Sequence, residues 1–144
     1  MKKTILSIII VTVLIASITA CGEEEEQPKN QSVTITGLFN NNSSATVKGY
    51  LTDTEWTGVA NKIKTAINKI FNEIMETAQN NWKIAFSGGN VIIIVEKTNA
   101  YENWKTIGDS KTIYLNYDSL DKTDLHEIMA NSISSMGQGQ TGND

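Results

Sequence analysis

One stretch limits the fold more than any other. Thr52-Asp53-Thr54-Glu55 has the spacing of a capping box, in which a threonine hydroxyl and a glutamate carboxylate each accept from the other residue's backbone N–H at a helix start. Apolar residues then recur at Trp56, Val59, Ala60, Ile63, Ala66, Ile67, Ile70, Phe71, Ile74, Met75 and Ala78, while Lys62, Lys69, Asn72, Glu73 and Glu76 fill the other side. The pattern predicts a helix from about 53 to 80. Its stripe must be buried, and a sheet is the natural partner. An interfacial helix would want a strongly cationic polar face; here Lys and Glu nearly balance.

The rest of the pattern supplies that sheet. Val33–Leu38 (VTITGL) and Thr46–Leu51 (TVKGYL) alternate as strands around the turn formers FNNNSSA. Beyond Asn80-Asn81, Trp82, Ile84 and Phe86 share the period of a strand, and Ser87-Gly88-Gly89-Asn90 reads as a turn. Val91–Val95 (VIIIV) is apolar on both faces and is expected at the sheet centre. Thr98–Ser110 reads as a loop or broken edge, and Lys111–Tyr117 as another strand. Leu125, Ile128, Met129, Ser132, Ile133 and Met136 mark a second amphipathic helix, with Asp121 or Thr123 as cap and Gly137 as stop. The expected class is therefore α+β, in the approximate order ββ-α-βββ-α: a mostly antiparallel sheet covered by one long and one shorter amphipathic helix.

The chain's 144 residues leave room for one such domain, and its first twenty do not belong to it. Lys2 and Lys3 precede an apolar run, Ile5–Ile18, broken only by Ser7, Thr12 and Ser17. That is the layout of a secretory signal, and it is shorter than the roughly 20 residues of a spanning helix. The run exits through Ile18-Thr19-Ala20-Cys21, which resembles the lipobox of bacterial lipoproteins, with Ile18 in place of the more usual leucine and Thr19 in place of Ala or Ser. The resemblance implies that the Cys21 thiol receives a diacylglycerol, that residues 1–20 are removed, and that the new amino terminus is acylated. Each buried methylene contributes about 0.8 kcal/mol, so two or three chains anchor durably where one does not. Cys21 is the only cysteine, so it has no internal disulfide partner.

Residues 21–32 then form a lipidated, acidic tether (CGEEEEQPKNQS) that lacks aliphatic and aromatic residues and cannot offset its ordering entropy. Its glutamate run reads either as a solvated spacer or as a sorting signal. The domain is expected over 33–136, and 137–144 (GQGQTGND) is expected to stay disordered. The chain from Cys21 onward carries ten lysines, no arginine and sixteen acids, a net charge of −6. Bidentate reading of phosphate or guanine depends on arginine, so nucleic acid is not an expected partner.

Candidate chemistry is sparse. The lone histidine, His126, sits in Asp124-Leu125-His126-Glu127-Ile128-Met129-Ala130, which resembles the helix of zinc peptidases, where two histidines one turn apart bind metal and the glutamate activates water. The second ligand position is Ala130, so the resemblance implies at most a degenerate relative. Gly108-Asp109-Ser110 resembles the nucleophile block of GDS-type esterases, but the chain lacks the late Asp-x-x-His, and a turn accounts for it better. Gly88-Gly89 lacks the lysine and spacing of a phosphate loop. Of the aromatics, Trp56 and Trp82 fall on expected core faces. Tyr101 and Trp104 are the ones to consider for recognition, with a loop folded over the sheet edge as the plainer account.

The sequence thus points to no catalytic, metal or cofactor residue and to one modified residue, Cys21. The expectation is an exported lipoprotein held by lipid at the outer membrane or cell surface, with the periplasmic face as alternative. Its domain would be a non-catalytic binding module for an unidentified protein or small ligand; the alternative is a divergent zinc-peptidase-like domain.

Overall fold

The structure, a computed structural model, describes residues 24–142. The lipobox and Cys21 lie outside the described residues. Strands β1 (Lys29–Leu38) and β2 (Ser43–Leu51) form an antiparallel hairpin, and helices α1 (Asp53–Trp56), α2 (Val59–Phe71) and α3 (Glu76–Phe86) follow. Then come β3 (Ile92–Glu96), β4 (Trp104–Thr106), β5 (Thr112–Asn116), a 3-10 turn over Tyr117–Asp121, helix α4 (Leu125–Ser134) and the short β6 (Thr141–Gly142). The sheet runs β1-β2-β3-β5-β4-β6. Its three outer pairings, β1–β2, β5–β4 and β4–β6, are antiparallel; β2–β3 and β3–β5 at the centre are parallel. The fold is α+β, with the helices on one side of the sheet.

The capping box forms as expected. Glu55 N–H donates to Thr52 Oγ1 at 3.1 Å, and Thr52 N–H donates to Glu55 Oε2 at 2.9 Å. The single long helix does not. After one turn the chain passes through Gly58, whose φ of 81° is left-handed backbone, and restarts as α2. It breaks again at Asn72–Met75, where Gln79 Nε2 donates to the carbonyls of Phe71 and Ile74 at the break.

The strand expected over Trp82–Phe86 is also corrected: these residues are the end of α3. Trp82 and Phe86 are four apart, a spacing that serves a helix face as well as a strand face. Ile84 separates the two, because a strand would bury it and α3 leaves it 70% exposed. Trp82 and Phe86 enter an aromatic cluster with Phe71 around Phe39, whose ring lies 4.8 Å from those of both Phe71 and Phe86. Phe39 sits in the hairpin turn at φ 58°, unfavourable for a bulky side chain. The burial of its ring and a hydrogen bond from its N–H to Asn68 Oδ1 (3.1 Å) hold it there.

The core lies between the sheet and the helices. Ala45, Val47, Ile93, Val95, Ile113 and Leu115 point inward, against Val59, Ile63 and Ile67 of α2 and Ile128, Met129 and Ile133 of α4. Three boundaries differ from the sequence reading. The first strand starts at Lys29 rather than Val33, inside the expected tether. The expected loop 98–110 contributes β4. The expected unfolded tail returns as β6, which pairs with β4.

Candidate functional site

The inward and outward rows of the sheet are set by pairing register. Ser32, Lys48, Ile94, Tyr114 and Lys105 form one cross-strand row on the helix-free face, and Thr34, Thr46, Ile92 and Thr112 form the next. Tyr50 continues this face at 64% exposure, and Ile92, Ile94, Tyr114 and Lys105 are half-buried by their neighbours alone. A shallow recess of about 480 Å³ opens there between Asn30, Ser32, Lys48, Tyr50 and Ile94.

One flank of the face is built by a polar network. Lys105 Nζ sits over the rings of Tyr114 (4.9 Å) and Tyr101 (5.2 Å) and 4.0 Å from Glu96 Oε1. Tyr101 donates its hydroxyl to Glu96 at 2.6 Å. Burial, then this hydrogen bond to a carboxylate, push the Tyr101 pKa well above the usual tyrosine value, so the hydroxyl keeps its proton. Asn116, itself buried, donates to the carbonyls of Thr98 and Tyr101, both at 2.9 Å, and fastens loop 97–103 over the sheet end. Ser119 Oγ and Lys122 Nζ donate to Asn103 Oδ1 at 3.0 and 2.7 Å. Between this loop and the 3-10 turn is a second recess, of about 590 Å³, at the carboxyl ends of β3 and β5.

The same end of the sheet holds ion pairs. Lys29 Nζ lies 2.8 Å from Asp53 Oδ2, and Lys97 Nζ lies 2.6 Å from Glu55 Oε1. The Lys29 and Gln31 hydrogen bonds hold Asp53 below its ordinary pKa. Lys97, then the Thr52 N–H, does the same for Glu55.

The residues singled out in the sequence do not build one site: His126 Nε2 and Glu127 Oε1 approach to 3.9 Å, but the two residues line different recesses. His126 is half-buried between α2 and α4, in a recess it shares with Lys62 and Lys69. Glu127 is exposed and lines a different recess with Trp104 and Asn131. Ala130 is half-buried against the core. Among the described residues no three His, Cys, Asp or Glu side chains gather where a metal could sit. Gly108-Asp109-Ser110 is a turn: Ser110 N–H donates to the Ile107 carbonyl, and the Ser110 hydroxyl oxygen accepts from Thr112 N–H. Tyr101 and Trp104 are 4% and 6% exposed: Tyr101 is buried in the loop ahead of β4 and Trp104 opens β4 itself, so neither presents an exposed recognition patch.

Tyr50 and Tyr114 escaped sequence reasoning as surface candidates. The alternation in TVKGYL, with Val47 and Leu51 inward, already placed Tyr50 outward. Among the described residues no helix is long and apolar enough to cross a membrane. The chain matches no protein-family model, no curated protein and no solved structure.

Proposed function

We propose that the chain is a membrane-anchored bacterial lipoprotein, acylated at Cys21, whose α+β domain is a non-catalytic binding module of the cell envelope. The observation that supports a binding role is the helix-free sheet face, where Tyr50, Ile92, Ile94, Tyr114, Lys48 and Lys105 stand together. An exposed aromatic and half-buried aliphatic side chains beside lysines offer contact area with polar orientation, the composition of recognition surfaces. The anchor reading rests on Ile18-Thr19-Ala20-Cys21. Lys29 pairs with Leu51, so the tether joins at the sheet end that carries the carboxyl termini of β2, β3 and β5. From Cys21 to Lys29 the chain reaches at most about 28 Å. That end would therefore sit close to the lipid, with the open face standing beside the tether.

Two experiments test the two halves separately. Cys21→Ser should abolish incorporation of labelled fatty acid and move the protein out of the detergent phase; unchanged partitioning overturns the anchor. Tyr50→Asp combined with Ile94→Asp should abolish cross-linking to envelope components while circular dichroism stays native. Cross-linking that survives in a folded double variant overturns the binding face. Protease accessibility on intact cells then assigns the protein to the outer surface or to the periplasmic side.

A further inference from the structure

A second surface stands apart from the open face, at the opposite edge from β1. The chain leaves α4 through Gly137 and returns along β4 as β6. Thr106 N–H donates to the Gln140 carbonyl at 2.7 Å, and Asn103 N–H donates to the Gly142 carbonyl at 3.0 Å. With the carbonyls of 140 and 142 turned toward β4, strand alternation turns the N–H and C=O of Thr141 outward, along the sheet edge. Gly142 lies so close on the Trp104 indole that no side chain fits there, which keeps this edge thin and flat.

Beside that edge runs a groove of about 520 Å³ between α4 and β6. Trp104 and Ile128 form its floor. Asp124, Glu127 and Asn131, at helical spacing along α4, form its wall opposite Thr141. The lining carries two carboxylates and no lysine. Asp124 is exposed and the Glu127 side chain is 68% exposed, with the His126 imidazole 3.9 Å away. Among the described residues no strand pairs with the outer edge of β6; such an edge supplies backbone hydrogen bonds to an incoming chain, and an adjoining groove selects its alternate side chains.

We propose that the α4–β6 groove binds an extended peptide segment of a partner protein bearing lysine or arginine. The segment adds a strand to β6 through Thr141 and places its cationic side chain against Asp124 and Glu127. The acidic wall disfavours an acidic segment by like-charge repulsion, so selectivity follows charge. The proposal depends neither on acylation of Cys21 nor on the open face.

The test is fluorescence anisotropy with the full-length protein in detergent and two labelled peptides, Thr-Lys-Val-Lys-Val-Thr and Thr-Glu-Val-Glu-Val-Thr. The lysine peptide should bind and the glutamate peptide should not. The exposed double substitution Asp124→Asn with Glu127→Gln should weaken binding about tenfold at unchanged thermal stability. Thr141→Pro, which deletes an outward N–H, should weaken it comparably. Cys21→Ser should leave it unchanged, so failure of the anchor and failure of the groove give different results. Absence of lysine-peptide binding, equal binding of both peptides, or indifference to the Asp124/Glu127 substitutions overturns the proposal. Self-association abolished by Thr141→Pro, with no peptide binding, would make a second copy the occupant and overturn it as well.

Discussion

Ile93 and Ile94 are consecutive and chemically identical, yet they belong to two different surfaces. Ile93 points into the helix-covered face and is fully buried, in line with Val47 and Ile113. Ile94 points to the uncovered face and is half-buried, in line with Lys48 and Tyr114. The inner row is apolar from Val33 through Val47 and Ile93 to Ile113, where it faces the helices, and turns polar only at Thr106 on β4. The outer row mixes Lys, Thr, Tyr and Ile because water is its other neighbour. An apolar residue on the inner row is a statement about stability, and one on the outer row is available for recognition.

Substitutions on the two rows measure the contrast. Ile93→Ala should cost about 2–5 kcal/mol in urea unfolding, the price of a core truncation. Ile94→Ala should cost about 1 kcal/mol or less. Equal losses would mean that the outer face is covered in the native protein. Gly49 and Tyr50 give a second, smaller contrast. A Cβ at Gly49 would stand 3.0 Å from the Val95 carbonyl oxygen and 3.3 Å from the Trp56 ring, so Gly49→Ala should destabilise by about 1–3 kcal/mol. Tyr50→Ala should change stability by less than about 0.5 kcal/mol. Thr52→Ala removes one half of the capping box and should lower stability by about 1 kcal/mol, between those two, read by the same titration.

The smallest expected effect is on pH dependence. Asp53 and Glu55 are held below their ordinary pKa values, so the unfolded chain takes up protons first as pH falls. Their stabilisation is present at neutral pH and is lost as pH drops from the unfolded carboxylate range through the lower folded values. Asp53 is exposed and Glu55 half-buried, and both face solvent-exposed lysines, so the slope is shallow. Glu55→Gln should flatten stability between about pH 5 and 3, and an unchanged slope would locate the acid sensitivity elsewhere. Tyr101 has the opposite sign. Its raised pKa keeps its stabilisation intact below the unfolded value of 10.0 and loses it above, so alkaline destabilisation should be reduced in Tyr101→Phe.

The class of the fold was legible because its signals are local. The Thr52–Glu55 box, the stripe of α2, the alternation of β1 and β2 and the apolar run of β3 need no distant partner to be read. The central place of β3 was also legible, although its two apolar faces do not share one fate. Helices cover Ile93 and Val95, whereas Ile92 and Ile94 remain on the open side. The Trp82–Phe86 segment misled because Trp and Phe at a spacing of four fit both periods, and only the aromatic cluster around Phe39 decides between them. Strands β4 and β6 were invisible for a related reason. Three and two residues long, they exist through pairing with β5 and with each other, and carry no pattern of their own. Of the site features, the placing of His126 and Glu127 in different recesses needed the helix geometry, and the α4–β6 groove needed β6.

By itself the sequence determined an α+β class, the inward and outward rows of its alternating strands, and an acidic chain from Cys21 onward with a single imidazole, because composition and periodicity act through neighbours a few residues apart. The tertiary structure alone decided which face the helices cover, that the sheet is parallel at its centre and antiparallel at its flanks, and that the glycine-rich C-terminal stretch closes one edge beside an acidic groove. Those outcomes depend on contacts between residues far apart in the chain, where pairing and packing override what each segment prefers locally.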